Sequence, residues 1–138
     1  MTILERAYVF FDDAKRINVS ESEIHFLNHG KTPAIAKSRR LACEYLESEP
    51  KITDAPEHHF PKGAIIGSGV DWTRGRVNVT SQDIQKWQSG VGRIYLYGEL
   101  KYWDIFGEEH RTWFCRRFNN GWQFVLDDIT DPELNGYD

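Results

Sequence analysis

The chain has 138 residues, of which 40% are hydrophobic and 14% aromatic, and its net charge is −4. A chain of this length forms one domain that buries enough apolar surface to fold without a metal or a disulfide framework. The acidic balance argues against a general nucleic-acid-binding protein, which carries a basic face. No apolar run is long enough to predict a transmembrane helix. The two cysteines, Cys43 and Cys115, are too few for a disulfide scaffold.

Alternating apolar and polar residues predict strands in the first third of the chain. Gly30 and Pro33 predict a turn, because glycine accepts positive φ and proline restricts the residue before it to extended geometry. Residues 34–41 are also compatible with a helix, but the proline-led turn favours a strand. We therefore expect three strands, with a polar connection after the first, at residues 6–11, 18–27 and 34–46.

The middle of the chain predicts a loop, a brief strand and a helix. Residues 47–63 hold three of the five prolines, and so long a loop is either functional or mobile. A brief strand is expected at residues 76–79. Thr80 is a residue type that caps helices, Asp83 follows three residues later, and Gly90 provides a stop signal. One short helix is therefore predicted near residues 80–90.

The clearest pattern is the alternation along residues 91–118, which is interrupted once around Gly107. Period two, a glycine-bearing break and period two again predict a long antiparallel hairpin. Asn-Gly chemistry at residues 119–121 predicts a tight turn, after which residues 122–126 should pair with the second hairpin strand. Residues 127–138 are acidic and contain a proline and a glycine, so we expect a flexible tail.

These elements together predict the fold class. About seven strands, with turn signals every 8–12 residues and one short helix, favour an all-β architecture. We predict a single domain over residues 1–138, an antiparallel immunoglobulin-like β-sandwich, with a small barrel as the second choice.

Three segments resemble a family of small bacterial proteins of uncharacterised function. The segments are Arg6-Ala7-Tyr8-Val9, Asn28-His29-Gly30-Lys31-Thr32-Pro33-Ala34, and residues 102–115, with Tyr102, Asp104, Phe106-Gly107, His110, Thr112 and Phe114-Cys115 at fixed spacing. Family members carry one or two N-terminal transmembrane helices followed by a β-sandwich domain. The resemblance covers most of the chain and implies a membrane-tethered sandwich, without implying catalytic residues.

The chain differs from this family because it lacks the hydrophobic helices. The resemblance therefore implies either a chain without its tether or a soluble member. We expect the soluble part of a membrane-anchored bacterial protein, associated with the membrane only through an N-terminal helix missing from this chain. The side of the membrane stays open.

The pattern of histidines and cysteines does not indicate a metal site. His25 and His29 are the one pair with His-x-x-x-His spacing, and they lie on and just after a predicted strand rather than on a helix. Cys-x-x-Cys does not occur, and the adjacent His58 and His59 would point to opposite sides of an extended segment. We therefore expect no metal and no cofactor. The alternative is a metal-dependent hydrolase that uses His58, His59, His110 and nearby carboxylates.

The tip of the central hairpin concentrates polar residues, and two readings compete there. A carboxylate beside His110 performs acid–base chemistry when both lie in a cleft. The simpler reading is structural: Asp104 bonds the turn backbone, Gly107 supplies positive φ and Phe106 turns inward. By the same reasoning, we expect the side chains of Asn28 and Thr32 to satisfy the turn that contains Gly30 and Pro33 and not to form a functional site. The two cysteines are read as small buried residues, with a bridge between them as the alternative in an oxidising compartment.

Aromatic residues provide the remaining functional signal. Tyr97, Trp103 and Trp113 lie on the hairpin, and an exposed face of this kind stacks a sugar, binds a peptide or packs on a partner. The alternative is that both faces are covered. We expect a non-enzymatic interaction or sensory domain that binds a protein or small ligand, with a carbohydrate-binding module as an alternative. The expected binding surface consists of the hairpin aromatics and the 57–72 loop. Its residues are Tyr97, Trp103, Trp113, Trp72, His58 and His59.

Overall fold

The computed structural model describes residues 6–17, 20–118, 124–125 and 134–138, and only the backbone of Arg16, Arg74, Phe124 and Val125. Along these residues run nine strands, one α-helix and a 3-10 turn at Ile52–Asp54. The strands and the helix are β1 (Val9–Arg16), β2 (Glu21–Asn28), β3 (Ala34–Leu46), β4 (Glu57–Ile66), β5 (Asp71–Asn78), α1 (Ser81–Ser89), β6 (Arg93–Trp103), β7 (Glu109–Phe118), β8 (Phe124–Val125) and β9 (Gly136–Tyr137).

The strands form two antiparallel sheets. The smaller sheet has the order β1-β2-β5, and the larger has the order β4-β3-β6-β7-β8, with β9 also paired to β7. The chain changes sheet between β2 and β3, between β4 and β5 and again between β5 and β6, which is the Greek-key order of an immunoglobulin-like sandwich. The predicted all-β sandwich of about seven strands is confirmed by the seven long strands. β8 and β9, of two residues each, add to the edge beside β7.

The core lies between the inner faces of the two sheets. Phe11 of β1 stacks on Phe114 of β7 with ring centroids 4.3 Å apart, which brings one edge of the sandwich together. Alternation along β6 sends every second side chain into this core, as period two requires. The core residues include Val9, Ile24, Phe26, Ile66, Trp72, Leu96, Leu100, Tyr102 and Phe114.

Helix α1 closes one end of the sandwich. The hydroxyl of Thr80 accepts a hydrogen bond from the backbone N–H of Asp83 at 3.1 Å, which confirms the predicted cap. Ile84 and Trp87 of α1 pack on a small buried cluster at this end of the sandwich, which contains Val79, Ile94 and Phe118. Among the described residues, no helix is both long and apolar enough to cross a membrane.

The loop predicted at residues 47–63 is wrong in its second part. Residues from Glu57 onward form β4, which pairs with β3. Pro61 is compatible with this strand because β4 is an edge strand, whose outward N–H groups need no ladder partner. A bulge around Gly63, where φ is +72°, accommodates the residues of β4 between His59 and Ala64, which outnumber the residues opposite them on β3. The prolines therefore indicated a loop at residues that form the edge strand of the larger sheet.

The first strand and the chain end also differ from expectation. β1 extends through residues 12–16, which the sequence predicts as a polar connection, and the polar side chains of Asp12, Asp13 and Lys15 are exposed to solvent there. At the other end, β9 pairs with Thr112 and Trp113, so residues 134–138 are not a loose tail. The predicted turn at 119–121 lies outside the described residues. Of the strand predicted at 122–126, β8 is the described part, and it pairs with β7 as expected.

The side chain of Asn28 joins the two sheets. It is fully buried, and its Oδ1 accepts hydrogen bonds from the backbone N–H groups of Tyr8 at 3.2 Å and Gly30 at 2.9 Å. Its Nδ2 donates to the carbonyl oxygens of Thr32 at 2.9 Å and Ile66 at 3.1 Å. One amide therefore satisfies four backbone groups from the entry to β1, the turn and the end of β4. The predicted structural role of Asn28 is confirmed.

Replacing Asn28 by alanine leaves these four backbone groups buried without a partner. We expect Asn28→Ala to lower the free energy of unfolding by about 3 kcal/mol in chemical denaturation, since each unsatisfied buried group costs about 1–3 kcal/mol. Asn78→Ala, at an exposed position on β5, is the control, with a change below about 0.5 kcal/mol. Equal effects of the two substitutions would contradict this role of Asn28.

Candidate functional site

Part of the outer face of the larger sheet is covered by other segments of the chain. The segment 47–56 crosses this face, and Ala55 packs against Tyr95, Tyr97 and Cys115 in a small second core. Tyr97 is 0% exposed, and its hydroxyl donates to Glu44 Oε1 at 2.6 Å. The expectation that Tyr97 is an exposed binding residue is therefore wrong, because the segment after β3 folds back over it.

Arg40 of β3 holds the covering segment in place. Its Nη1 donates to the carbonyl oxygens of Ala55 at 2.8 Å and Thr53 at 3.3 Å. Its Nη2 lies 3.0 Å from Glu57 Oε2. One guanidinium thus bonds both the segment and the strand that follows it, which fixes the segment against the sheet.

A buried carboxylate lies at the centre of the outer face. Glu99 is 4% exposed, and three cations surround it: Arg40 Nε at 3.5 Å, Arg111 Nη1 at 3.5 Å and Lys101 Nζ at 3.9 Å. Arg40 also pairs with Glu57, so two carboxylates face three cations. This group of five side chains keeps one positive charge in excess, although the whole chain is acidic.

A cleft of about 630 Å³ lies between the covering segment and β7. Its volume is that of a typical ligand pocket. The guanidinium of Arg111 stacks over the ring of Trp113, with Cζ 4.3 Å from the ring centroid. This stacking restricts the Arg111 side chain before any ligand arrives. The residues that line the cleft are Glu49, Pro50, Lys51, Ile52, Thr53, Arg111, Trp113 and Leu134.

The two hairpin tryptophans are half-buried and do not offer open ring faces. Arg111 covers one face of Trp113, and Gly136 packs so closely on its six-membered ring that a methyl group there would lie 2.6 Å from Cζ2. The Lys37 ammonium lies 5.4 Å from the Trp103 ring centroid. Since a sugar stacks on a free ring face, this arrangement disfavours the carbohydrate-binding alternative.

The remaining predicted residues are separated. Trp72 is 7% exposed and belongs to the main core. His58 and His59 are neighbours on β4, where His58 meets the ring of Phe60 edge-on at 4.9 Å and His59 pairs with Glu57 on the outer face. The structure therefore does not join these three residues with the hairpin tryptophans in one site.

His110 lies at the hairpin tip and belongs to a structural cluster. Its Nε2 is 2.7 Å from Asp104 Oδ2, and its Nδ1 is 3.2 Å from the backbone oxygen of Asp138. Asp104 Oδ1 accepts from the backbone N–H groups of Phe106 at 2.9 Å and Glu108 at 3.0 Å. The prediction that Asp104 bonds the turn backbone is confirmed. The prediction that Phe106 turns inward is wrong, because Phe106 is 51% exposed.

The hairpin tip also contains the one group of potential metal ligands found among the described residues. Asp104, Glu108 and His110 each offer an atom within 4.8 Å of the others. A cation there would have to break the bond between Asp104 and His110.

His58 and His59 lie three strands away from His110 across the larger sheet, about 14 Å at the usual strand spacing. The histidines of the hydrolase alternative therefore do not converge.

The electrostatics of the tip follow from these hydrogen bonds. Burial opposes the charged form of Asp104, but the bonds from His110 and from the N–H groups of Glu108 and Phe106 outweigh it and hold the Asp104 pKa below its usual value. A carboxyl whose folded pKa is lowered stabilises the fold at neutral pH. This contribution disappears as the pH falls through the lowered value.

Cys43 and Cys115 lie on opposite faces of the larger sheet. Cys43 is opposite Leu96 and faces inward, whereas Cys115 is opposite Tyr97 and faces the second core. The prediction of a small buried residue is confirmed for Cys115, whereas Cys43 is partly buried and packs against the core. Their positions on opposite faces exclude a bridge between them. Burial, with a smaller effect from nearby carboxylates, raises the pKa of the Cys43 thiol.

Sequence reasoning missed Arg111, Arg40 and the segment 49–53 as parts of a site. A signal existed for Arg111, because it lies two residues before Trp113 on the same face of a strand. Nothing in the sequence showed that residues 49–53 fold over that face, since period two identifies a face and not what covers it.

Comparison of the chain with models of protein families, with curated proteins and with solved structures gives no match. The comparisons therefore give no indication of an enzyme family. Candidate functions depend on the geometry of the chain and on the motifs described above.

Substitution of Asp104 tests the hairpin-tip cluster. We expect Asp104→Asn to lower the free energy of unfolding by about 2 kcal/mol at pH 7, because it removes the charge-assisted bonds. The difference from the unsubstituted protein should begin to shrink below about pH 4, where the carboxyl of the unfolded chain protonates, and should disappear as the pH falls through the lowered pKa of the folded protein. Urea denaturation between pH 7 and pH 3 measures it. Glu108→Gln, which changes an exposed carboxylate in the same turn, is the control. A difference that does not depend on pH would contradict the assignment.

The positions of the cysteines predict their behaviour toward oxidants. Exposure to oxidised glutathione should produce no bridge between Cys43 and Cys115, and alkylation of Cys43 by iodoacetamide should be slow until denaturant is added, since the thiolate is the reactive form. Intact-mass spectrometry with and without denaturant measures both properties. An intramolecular disulfide in the folded protein would show that the strand assignment is wrong.

Proposed function

We propose that the chain is a non-enzymatic binding domain and that the cleft between segment 49–53 and β7 is its ligand site. The observation that carries this proposal is the stacking of Arg111 on Trp113 at 4.3 Å, inside a cleft of about 630 Å³. A cation that is already held in place loses little side-chain freedom when it binds a ligand. Arginine and tryptophan are also the residue types that dominate binding energies at interfaces.

The chemistry of the cleft indicates an acidic peptide segment of a partner protein. Arg111 and Lys51 offer two positive charges against the single carboxylate of Glu49. Pro50, Ile52 and Leu134 offer apolar surface. A carboxylate placed beside an apolar side chain would use both, with the carboxylate on the fork of Arg111. Glu99 supports this role because it shares its single charge among Arg111 and two other cations.

The cellular setting rests on the motifs alone. The three segments at 6–9, 28–34 and 102–115 resemble small bacterial proteins with N-terminal membrane helices. We therefore propose that the domain works as the soluble part of a membrane-anchored protein. In that setting a tethered domain meets a tethered partner at a high effective concentration, so a modest affinity is sufficient.

Peptide selection tests the proposed function. A random peptide library selected on the immobilised protein should yield sequences with an aspartate or glutamate next to an apolar residue. Arg111→Gln and Lys51→Gln should each weaken binding of a selected peptide about tenfold, as measured by calorimetry, because each removes a charge-assisted contact.

The matched control is Lys86→Gln, which removes the same charge from an exposed position on α1. Thermal unfolding of each variant establishes that it is folded. Selected peptides without an acidic residue, or binding that is equally strong in all three variants, would contradict the assignment of the cleft.

A further inference from the structure

The free edge of β7 carries two short strands with a gap between them. β9 pairs with the first half of β7, and β8 pairs with its last two residues. In the gap, the backbone N–H of Cys115 donates to Oδ1 of Asn135 at 3.0 Å. The Asn135 side chain thus replaces a missing backbone partner, which places its amide at the open edge of the sandwich.

Arg116 lies beside this amide on the inner face of β7. Its Nη1 donates to Asn135 Oδ1 and, at 3.2 Å, to the carbonyl oxygen of Cys115, and its Cζ is 5.1 Å from the Phe11 ring centroid. The guanidinium is half-buried, and it forms no ion pair with the residues that the structure describes. Burial lowers the pKa of Arg116, as expected for a desolvated cation.

The amide of Asn135 has a fixed orientation. Its Oδ1 accepts from two donors, the backbone N–H of Cys115 and the guanidinium of Arg116, so Nδ2 must occupy the other position. This Nδ2 is buried and has no acceptor within the described part of the chain. One buried donor therefore lacks an acceptor among the described residues, beside a partly buried guanidinium, and such a donor is costly in a folded protein.

A cavity of about 300 Å³ lies next to these donors, between β1 and β7. Its wall is mostly aromatic, and the polar groups of Arg116 and Asn135 lie at one side of it. Phe10 meets the ring of Tyr137 edge-on with centroids 5.0 Å apart, which forms part of the wall. The lining residues are Phe10, Phe11, Thr112, Trp113, Phe114, Arg116, Asn135, Gly136 and Tyr137.

We propose that this cavity binds a small carboxylic acid that carries an aromatic or branched apolar group. The carboxylate accepts from the Arg116 guanidinium and from Asn135 Nδ2, and the apolar group lies against Phe10, Phe11 and Tyr137. The guanidinium provides the donors for this, because its hydrogen bonds to the described residues use Nη1 and not Nε or Nη2. This site is distinct from the outer-face cleft, and the proposal does not depend on the peptide-binding function.

A charged ligand is favoured over a neutral one by the energetics of the site. The half-buried Arg116 guanidinium has lost part of its hydration and has no counter-charge among the described residues, so a carboxylate would restore the lost interaction. The volume limits the apolar group to about one ring, since the cavity is at the lower end of the range for ligand sites. The ligand class is therefore a small aryl or branched alkyl carboxylate.

Phenylacetate is a suitable probe. We expect it to bind with a Kd on the order of 1 mM, as a ligand of this size allows, and to shift the amide resonances of Arg116 and Gly136 in an NMR titration. Phenylacetamide, which has no charge, and acetate, which has no ring, should each bind at least about tenfold more weakly, because each lacks one of the two interactions.

Two variants separate a lost site from a lost fold. Arg116→Gln should weaken phenylacetate binding about tenfold or more, whereas Arg93→Gln, at an exposed position on β6, should leave it unchanged. Asn135→Asp keeps the acceptor for Cys115 and adds a carboxylate beside Arg116, so it should abolish binding and raise the melting temperature. Equal binding of phenylacetate and phenylacetamide, or full binding by Asn135→Asp, would overturn the proposal.

Discussion

The structure depends on the buried amide of Asn28. A side-chain amide has one acceptor atom and one donor group, and here each serves two backbone groups. Those groups belong to the entry of β1, the turn after β2 and the end of β4, so both sheets are tied at one point. The close approach also explains Gly30, where a methyl group would lie 2.2 Å from the carbonyl oxygen of Arg6.

The hairpin tip repeats this principle at another place in the fold. Asp104 orders the turn through the backbone N–H groups of Phe106 and Glu108, and it orders the return strand through His110. The polar residues that stand out in the sequence motifs thus serve the backbone. Residues with less conspicuous spacing, such as Arg40 and Arg111, shape the accessible surface of the larger sheet.

Alternation and local chemistry predicted the elements whose signals are local. β3, the β6–β7 hairpin and α1 were found because period two, a glycine at positive φ and a capping threonine act within a few residues. β4 was missed because Pro61 suppresses a strand signal, although an edge position tolerates proline. Local patterns also cannot show what covers a face. Tyr97 alternates like an exposed residue, and only the path of residues 47–56 explains its burial.

The same limit applies to the candidate site. The sequence drew attention to Trp113, but its environment depends, besides Arg111 on the same strand, on two distant parts of the chain: the segment 49–53 and Gly136. These parts meet because the chain after β3 and the chain end both return to β7. The cleft is therefore a product of topology.

A crystal structure of the protein with a selected acidic peptide tests the central claim most directly. Our account predicts peptide density between segment 49–53 and β7, with a peptide carboxylate within hydrogen-bonding distance of the Arg111 guanidinium. A peptide that instead adds a strand to the free edge of β4, with Arg111 still packed on Trp113 and away from the ligand, would contradict it.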